Sequence, residues 1–251
     1  KFDLKVGIIK FPSISNFSDL HPLENENSIQ LKWIKKWEDL KQFDLIILPG
    51  SKQTIKDLKF LYESGLSRAI RSYYLCKGNI LGICGGLQML GESLEDPYFK
   101  EGDQDKFHIS EMSGLGILPL KTIFDKRKQT RQLSCKSLWP CEATINGFEI
   151  HNGISKLTSL DKAPKVRSLF NKDNIGWYLD SNEGGSVAGT YLHGLFENDL
   201  WRKGYIDIIR NKKGLPSLDK KANDYKMRRD RIIENLAIQF NKYINLRDLL
   251  T

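Results

Sequence analysis

Residues 79–90 read NILGICGGLQML, and their pattern is the strongest indication of the fold class. Residues 80–83 form a short apolar run typical of a buried strand, and residues 87–90 have the composition of a helix. Between them Cys84 stands in a glycine-rich turn, with Gly82 before it and Gly85 and Gly86 after it. A strand that turns sharply into a helix exposes the side chain at the turn. The stretch therefore predicts a nucleophile elbow that presents the Cys84 thiol.

The rest of the chain alternates predicted strands with predicted helices. Apolar runs predict strands at 5–10, 29–34, 44–48, 165–170, 174–179 and 187–191. Helical patterns follow at 55–62, 66–76 and 198–210, and a basic helix is expected from residue 225 to about residue 246. The residues between Phe11 and Glu26 are polar and are expected to form a long loop. This order predicts an α/β fold with a mainly parallel central sheet flanked by helices, into which residues 114–150 insert a β-rich segment.

The positive charge is concentrated at the carboxyl end. The 251 residues carry 39 basic and 31 acidic side chains, a net charge of +8. Residues 201–251 hold 13 of the basic and 6 of the acidic ones, which leaves only +1 for the first 200 residues. We therefore expect a domain over 1–210 and a basic helical extension over 211–251 packed on it. Apolar residues at Ile233, Leu236, Phe240 and Ile244 recur at helical spacing, so the charges are interpreted as a solvated face rather than a nucleic-acid site.

Composition excludes several classes of protein. No apolar run approaches the roughly 18–20 residues of a membrane-spanning helix, and no secretory leader is visible. The four cysteines include no CxxC pair, which is typical of a reducing, cytoplasmic setting. Cys135, Cys141 and His151 match no standard zinc spacing, so no metal site is expected. No Walker A pattern is present either.

Two further motifs fit a thiol nucleophile. Residues 49–51 read PGS and follow a buried strand, so their backbone lies at the carboxyl edge of the sheet where α/β sites form. Backbone N–H groups at Gly50, Ser51 and Gly85 are the candidates for an oxyanion hole. Residues 191–194 read YLHG after a late strand, and His193 is the candidate general base.

Together these motifs resemble those of a known family. PGS at 49–51, GICGGLQML at 82–90 and YLHG at 191–194 are similar to class I (triad-type) glutamine amidotransferase domains. Residues 14–19, 48–55, 147–153 and 193–196 read ISNFSD, LPGSKQTI, GFEIHNG and HGLF, and they narrow the resemblance to the glutaminase domain of cobyric acid synthases, enzymes of cobalamin biosynthesis. The resemblance covers roughly residues 4–210 and implies a flavodoxin-like architecture.

The resemblance also implies a reaction. Cys84 attacks the side-chain amide of glutamine to form a γ-glutamyl thioester, and His193 protonates the departing ammonia. Gln88, His151 and Asn152 are the expected glutamine-binding residues. The ammonia passes to a synthetase domain, fused or separate, which binds ATP and Mg²⁺ and amidates carboxylates of (adenosyl)cobyrinic acid a,c-diamide. This chain itself is expected to bind no cofactor, no nucleic acid and no membrane.

One position departs from the wider superfamily. Triad-type amidotransferases carry a glutamate two residues after the histidine, where this chain has Leu195. The absence fits the cobyric acid synthase branch but leaves the third catalytic role open. Glu197 is a weak candidate for that role, and a Cys84–His193 dyad is the favoured interpretation, because a thiolate depends less on an orienting acid than a serine does.

Other functions compete with this prediction. A glutaminase subunit that serves a lipid-linked cell-wall precursor also uses a cysteine and a histidine, and a related corrin-pathway enzyme amidates fewer carboxylates. A non-catalytic binding module with the same fold is a second class. A cysteine hydrolase or chaperone is a third, for which glutamine specificity is the discriminating observation.

Overall fold

The computed structural model describes residues 2–37, 40–101, 110–158, 166–180, 185–218 and 224–243. Its strands are β1 Leu4–Ile9, β2 Ile14–Ser15, β3 Ile29–Ile34, β4 Leu45–Leu48, β5 Gly50–Ser51, β6 Ile80–Ile83, β7 Ser93–Glu95, β8 Glu111–Ser113, β9 Leu120–Ile123, β10 Gln129–Ser137, β11 Ala143–His151, β12 Ile154–Leu157, β13 Val166–Ser168, β14 Gly176–Asp180, β15 Ser186–Thr190 and β16 Leu192–His193. Its α-helices are α1 His21–Glu24, α2 Thr54–Glu63, α3 Leu66–Leu75, α4 Gly85–Leu90, α5 Asp199–Lys212 and α6 Tyr225–Tyr243.

A seven-stranded mixed sheet forms the centre of the domain. Its strand order is β13-β14-β15-β6-β4-β1-β3. The five strands from β15 to β3 are parallel, and β13 and β14 pair antiparallel at the other edge. The predicted α/β fold with a mainly parallel central sheet is confirmed.

Both faces of this sheet are buried, which explains its continuous apolar strands. In β4, Ile46 and Leu48 join one hydrophobic cluster together with residues of α2, α3 and α4. Leu45 and Ile47 point to the opposite side and join a second cluster, which includes Trp201 and Tyr205 of α5. Alternate side chains of a strand face opposite ways, so a strand covered on both faces must be apolar throughout.

Three smaller sheets are added to the central one. β10, β11 and β16 form one, β12, β9, β7 and β8 form another, and β2 pairs with β5. β9, β10 and β11 come from the β-rich segment that the sequence predicts at 114–150, and the other strands of these sheets lie outside it. Residues 102–109 lie outside the described residues.

The stretch between Phe11 and Glu26 differs from the predicted loop. It contains β2, a 3-10 helix at Phe17–Leu20 and the short helix α1. Asp19 in the 3-10 helix is buried. Because β2 pairs with β5, with Ser15 opposite Gly50, this stretch is held against the PGS loop.

The C-terminal extension also differs from its prediction. Helix α6 forms where a helix is expected, but none of its described residues 225–243 is buried. Tyr225 and Arg229, in its first turns, are half-buried against the domain. The expected packing of the extension on the domain is therefore not seen beyond Arg229. Residues 244–251, including Ile244 of the predicted stripe, lie outside the described part.

Candidate active site

The backbone at Cys84 adopts a strained conformation between β6 and α4. Its φ is 52° and its ψ is −109°, a region that non-glycine residues rarely occupy. The Cys84 N–H donates a hydrogen bond of 2.8 Å to the carbonyl of Thr190, which ties the turn to the neighbouring strand β15. The predicted elbow is present at this position.

The flanking glycines are required by close backbone contacts. A Cβ atom on Gly86 would lie 1.9 Å from the carbonyl oxygen of Leu48, and one on Gly82 would lie 2.7 Å from the backbone nitrogen of Leu87. No side chain fits at either position unless the backbone moves. The sequence GICGG therefore allows α4 to begin directly against β4.

The PGS loop lies beside the elbow, as expected from its place at the sheet edge. A Cβ on Gly85 would lie 3.0 Å from the backbone nitrogen of Ser51, and one on Gly50 would lie 3.6 Å from Cε1 of His193. Backbone groups of Gly50, Ser51 and Gly85 are thus brought together next to Cys84. Their assignment as an oxyanion hole stays a prediction.

His193 is buried on β16 and bonded to Asp19. β16 pairs with β11, so that His193 lies opposite Phe148, whose ring stacks on the imidazole at a centroid distance of 5.2 Å. Nδ1 of His193 lies 2.7 Å from Oδ2 of Asp19. The other oxygen of the same carboxylate accepts a hydrogen bond of 2.8 Å from the backbone N–H of Gly194.

This contact fills the third position that the sequence leaves open. Asp19 comes from the opposite end of the chain, 174 residues before His193. Glu197, the weak candidate from sequence, instead forms a 2.6 Å ion pair with Arg229 of α6. The favoured dyad is therefore not what the geometry shows. Asp19 belongs to the ISNFSD stretch already singled out by the resemblance, which was the available signal.

The imidazole of His193 has a strongly perturbed protonation equilibrium. Burial alone lowers its pKa, but hydrogen bonds and charge interactions with Asp19 and Cys84 outweigh burial and raise the pKa to about 10. The Cys84 thiol is within hydrogen-bonding reach of the imidazole, and its sulfur lies 3.7 Å from the carbonyl oxygen of Ile150. The site therefore favours a protonated imidazole next to the sulfur.

A cavity of about 270 Å³ opens above Cys84. Its walls include all three residues predicted to bind glutamine, namely Gln88, His151 and Asn152. Ser51, Lys52, Thr54 and Lys128 also line it.

Within this cavity Gln88 has a supporting position. Its Nε2 donates hydrogen bonds to the Asn152 carbonyl at 2.8 Å and to the Tyr191 hydroxyl at 3.2 Å. Its Oε1 accepts a 3.3 Å hydrogen bond from the Thr54 hydroxyl. These bonds fix the loop that carries Asn152.

His151 is stacked face to face on Tyr191, with the ring centroids 3.8 Å apart. Its Nδ1 lies 3.0 Å from the carbonyl of Gly153, whereas its Nε2 is buried with no hydrogen-bond partner and lies 3.5 Å from the Glu149 carboxylate. Burial raises the pKa of Glu149, but contacts with His151 and Arg131 lower it by more. The stacking on Tyr191 and the contact with Gly153 hold His151 in place at the cavity wall.

Glu101 also lines the cavity, at a position that the sequence does not predict. Its carboxylate is buried and accepts hydrogen bonds from the Thr54 N–H at 2.8 Å and from the Asn152 side-chain amide at 3.2 Å. No motif marks it, because it lies after a polar stretch beyond α4. A buried carboxylate facing a cavity is suited to binding an ammonium group.

The described residues show no sign of two other kinds of site. Among them, no group of three or more His, Cys, Asp and Glu side chains is arranged to hold a metal ion. The helices in that same part of the chain are all too short or too polar to cross a lipid bilayer.

Comparisons with solved structures show the same fold. A glutamine amidotransferase crystal structure aligns with a TM-score of 0.59 and 16% identity, over 84% of this chain and 99% of that one. A glutamine amidotransferase from Thermotoga maritima aligns with a TM-score of 0.52 and 15% identity, over 93% and 94% of the two chains. At such identities the likeness concerns the fold.

Sequence comparison finds much closer relatives. A cobyric acid synthase of Prochlorococcus marinus strain MIT 9301 is 56% identical over 249 residues, which is 99% of this chain and 49% of that protein. The cobyric acid synthase of strain MIT 9515 is 57% identical over 250 residues, again 99% of this chain and 49% of the relative. The chain spans about half the length of the curated relatives it matches.

A family model decides the classification. The model of the CobB/CobQ-like glutamine amidotransferase domain matches residues 5–201, a range that contains Asp19, Cys84, Glu101 and His193. The elbow, the PGS loop and the buried histidine described above all lie in this range. The chain therefore belongs to the CobB/CobQ-like glutamine amidotransferase domain family.

Proposed function

We propose that this glutamine amidotransferase domain hydrolyses glutamine with a Cys84–His193–Asp19 triad and delivers the ammonia to a synthetase half. The observation that carries the proposal is the buried imidazole of His193, whose Nδ1 lies 2.7 Å from the Asp19 carboxylate and which also interacts with the Cys84 thiol. An orienting carboxylate, a proton-carrying imidazole and a nucleophile in series are the parts that acyl transfer requires.

The first half-reaction uses the protonated form of His193. The Cys84 thiolate attacks the side-chain carbonyl carbon of glutamine, and backbone N–H groups at Gly50, Ser51 and Gly85 stabilise the oxyanion. When the carbon–nitrogen bond breaks, His193 gives its proton to the leaving nitrogen and ammonia departs. A γ-glutamyl thioester on Cys84 and a neutral imidazole remain.

The second half-reaction restores the site. Neutral His193 removes a proton from a water molecule as the water oxygen attacks the thioester carbonyl. The carbon–sulfur bond breaks, glutamate leaves, and Cys84 and His193 regain their starting charges. Asp19 holds the imidazole in one orientation through both steps and stabilises its positive charge.

Recognition of glutamine is assigned to the cavity above Cys84. The Glu101 carboxylate binds the α-ammonium group, and Asn152, which donates to Glu101, completes that end of the site. Gln88 holds the Asn152 loop from behind, and His151 closes the wall.

For the acceptor, the named relatives support a cobyric acid synthase. The ammonia would then serve carboxylates of (adenosyl)cobyrinic acid a,c-diamide, activated with ATP and Mg²⁺ on the other half of such a protein. This chain aligns with about half of each relative. The unaligned half is therefore long enough to hold a second domain of similar size.

The test is glutamate release from L-glutamine, combined with labelling by an electrophilic glutamine analogue. Cys84→Ala is expected to lose both the activity and the label. Cys76→Ala is the matched control, because Cys76 is an exposed thiol and its loss should leave both unchanged. A Cys84→Ala variant that still releases glutamate at the wild-type rate would exclude the proposed mechanism.

The role of Glu101 has a separate test. Glu101→Gln keeps the size of the side chain but removes its charge, so KM for glutamine should rise about ten-fold or more, with kcat changed less. Glu92→Gln, at an exposed glutamate in the same region, should leave KM unchanged. An unchanged KM in Glu101→Gln would remove Glu101 from the binding site.

A further inference from the structure

Helix α6 has an apolar side that the described domain does not cover. Large apolar side chains on it are exposed, with Leu236 at 63% and Tyr243 at 76% of their surface. Ile232, Ile233 and Phe240 are exposed as well. Ile233, Leu236, Phe240 and Tyr243 follow one another at spacings of three and four residues, and Ile232 lies four residues before Leu236. The five positions therefore form one stripe, hereafter the α6 stripe.

The stripe begins where α6 touches the domain. Tyr225 and Arg229, the two half-buried residues of the helix, lie on the same side as the stripe by the same spacing. Arg229 pairs with Glu197, and the Tyr225 N–H donates to Asp199 at 3.2 Å. The side that contacts the domain at the start of α6 therefore continues as an exposed apolar surface.

A cavity of about 530 Å³ lies between this contact and the active site. Lys226 and Arg229 line it from α6, and Gly147 and Phe148 line it from β11. Phe148 is the residue whose ring stacks on His193. A protein that covers the α6 stripe and fills this cavity would contact Phe148. Only the Phe148 ring would then separate that protein from His193, where ammonia is proposed to form.

We propose that the α6 stripe and this cavity form the docking surface for the synthetase half. The proposal rests on the proposed function, and three observations support this occupant. Each matched relative contains about as many residues outside the aligned region as inside it. The alignment covers 99% of this chain, including α6. The surface is continuous with the active site. The helix carries five basic and two acidic side chains, so we expect a partner surface with an apolar groove and an acidic rim.

The test is photo-cross-linking in the protein expressed from its source gene together with the synthetase half, as one polypeptide or as a co-purified complex. A benzophenone side chain is placed at Leu236 in the stripe or, as the matched control, at Arg231 on the opposite side. Cross-links from position 236 are expected in the synthetase half, with few from position 231. Cross-links to a second α6, to this chain's own domain, or none from position 236 would each overturn the proposal.

A kinetic test separates docking from catalysis. Leu236→Asp combined with Phe240→Asp should reduce glutamine-dependent amide formation roughly ten-fold, as expected for central interface residues. Glutamate release, amide formation from added ammonium and the melting temperature of the isolated chain should not change. A lower melting temperature would mean that the stripe packs on its own domain, and unchanged glutamine-dependent synthesis would also contradict docking. Absence of glutamate release from the wild type would instead refute the proposed function, while the cross-links still decide the docking surface.

Discussion

Asp19 and His193, two residues of the proposed triad, lie 174 positions apart in the chain and meet through a single contact. The carboxylate uses one oxygen for the imidazole and the other for the Gly194 backbone, so it orients both the histidine and the turn after it. Leu195, at the position where the superfamily has glutamate, is buried and apolar. In the proposed triad the acid role falls to Asp19, which lies in a different strand connection.

Asp19→Asn tests this substitution of roles. The amide keeps the size of the side chain but cannot stabilise an imidazolium, so glutamate release should fall about 100-fold. Glu197→Gln is the matched control and should stay within about two-fold of the wild type, because Glu197 contacts Arg229 rather than His193. Equal losses in both variants, measured by steady-state kinetics, would contradict the assignment.

The raised pKa of His193 predicts a pH dependence of stability. A group whose pKa rises from 6.5 to about 10 on folding stabilises the folded state fully below pH 6.5 and loses this effect as pH rises through 10. The difference in unfolding free energy between the wild type and His193→Gln should therefore shrink from pH 7 to pH 10. Urea titrations at several pH values measure it, and a difference independent of pH would show that His193 is neutral in the folded protein.

At the scale of elements, the turn from β6 into α4 depends on backbone contact rather than on side-chain packing. Gly86 lets α4 lie directly against the carbonyl of Leu48 in β4, and Gly82 gives the same freedom on the other side of Cys84. The elbow is thus formed where α4 leaves β6 and packs against the neighbouring parallel strand β4. The sequence pattern predicts it well because so few residues can occupy these positions.

Gly86→Ala should destabilise the domain by about 2–3 kcal/mol and abolish labelling of Cys84, because its Cβ would overlap the Leu48 carbonyl. Gly65→Ala is the matched control. Gly65 has a φ of +76° but no atom within 4 Å of the added Cβ, so only a backbone penalty of about 1 kcal/mol is expected. Chemical denaturation measures both, and equal losses would argue against the steric explanation.

Arg202 connects segments from opposite ends of the chain and so affects the whole molecule. Its fully buried guanidinium pairs with Glu26 at 2.8 Å and with Asp199 at 2.6 Å. It also donates to the carbonyl of Phe196 at 2.6 Å. These bonds connect α5 with the residues just after α1 and with the segment after His193. The two chain segments that supply Asp19 and His193 are thereby held together.

Arg202→Met should destabilise the protein by about 3–5 kcal/mol, because it removes the buried guanidinium that pairs with the carboxylates of Glu26 and Asp199. The matched control is Lys203→Met, which removes a half-buried pair with Asp207 one turn along the same helix and should cost about 1 kcal/mol or less. Thermal unfolding checks both. Similar melting temperatures for the two variants would mean that the buried pair contributes little to the fold.

The amino-acid sequence alone is enough to predict the α/β class, the elbow at Cys84, the PGS loop and the position of His193. These features depend on local patterns, since apolar runs, glycines and strand-to-helix turns are encoded within a few neighbouring residues. The positions of Asp19 beside His193 and of Glu101 in the cavity, and the exposed side of α6, become apparent only in the folded structure. Asp19 reaches His193 across 174 residues through the pairing of β2 with β5, and Glu101 becomes a cavity residue through Thr54 and Asn152. Contacts between residues far apart in the chain produce no periodic pattern in the sequence. They can be identified only once the arrangement of the strands in the fold is known.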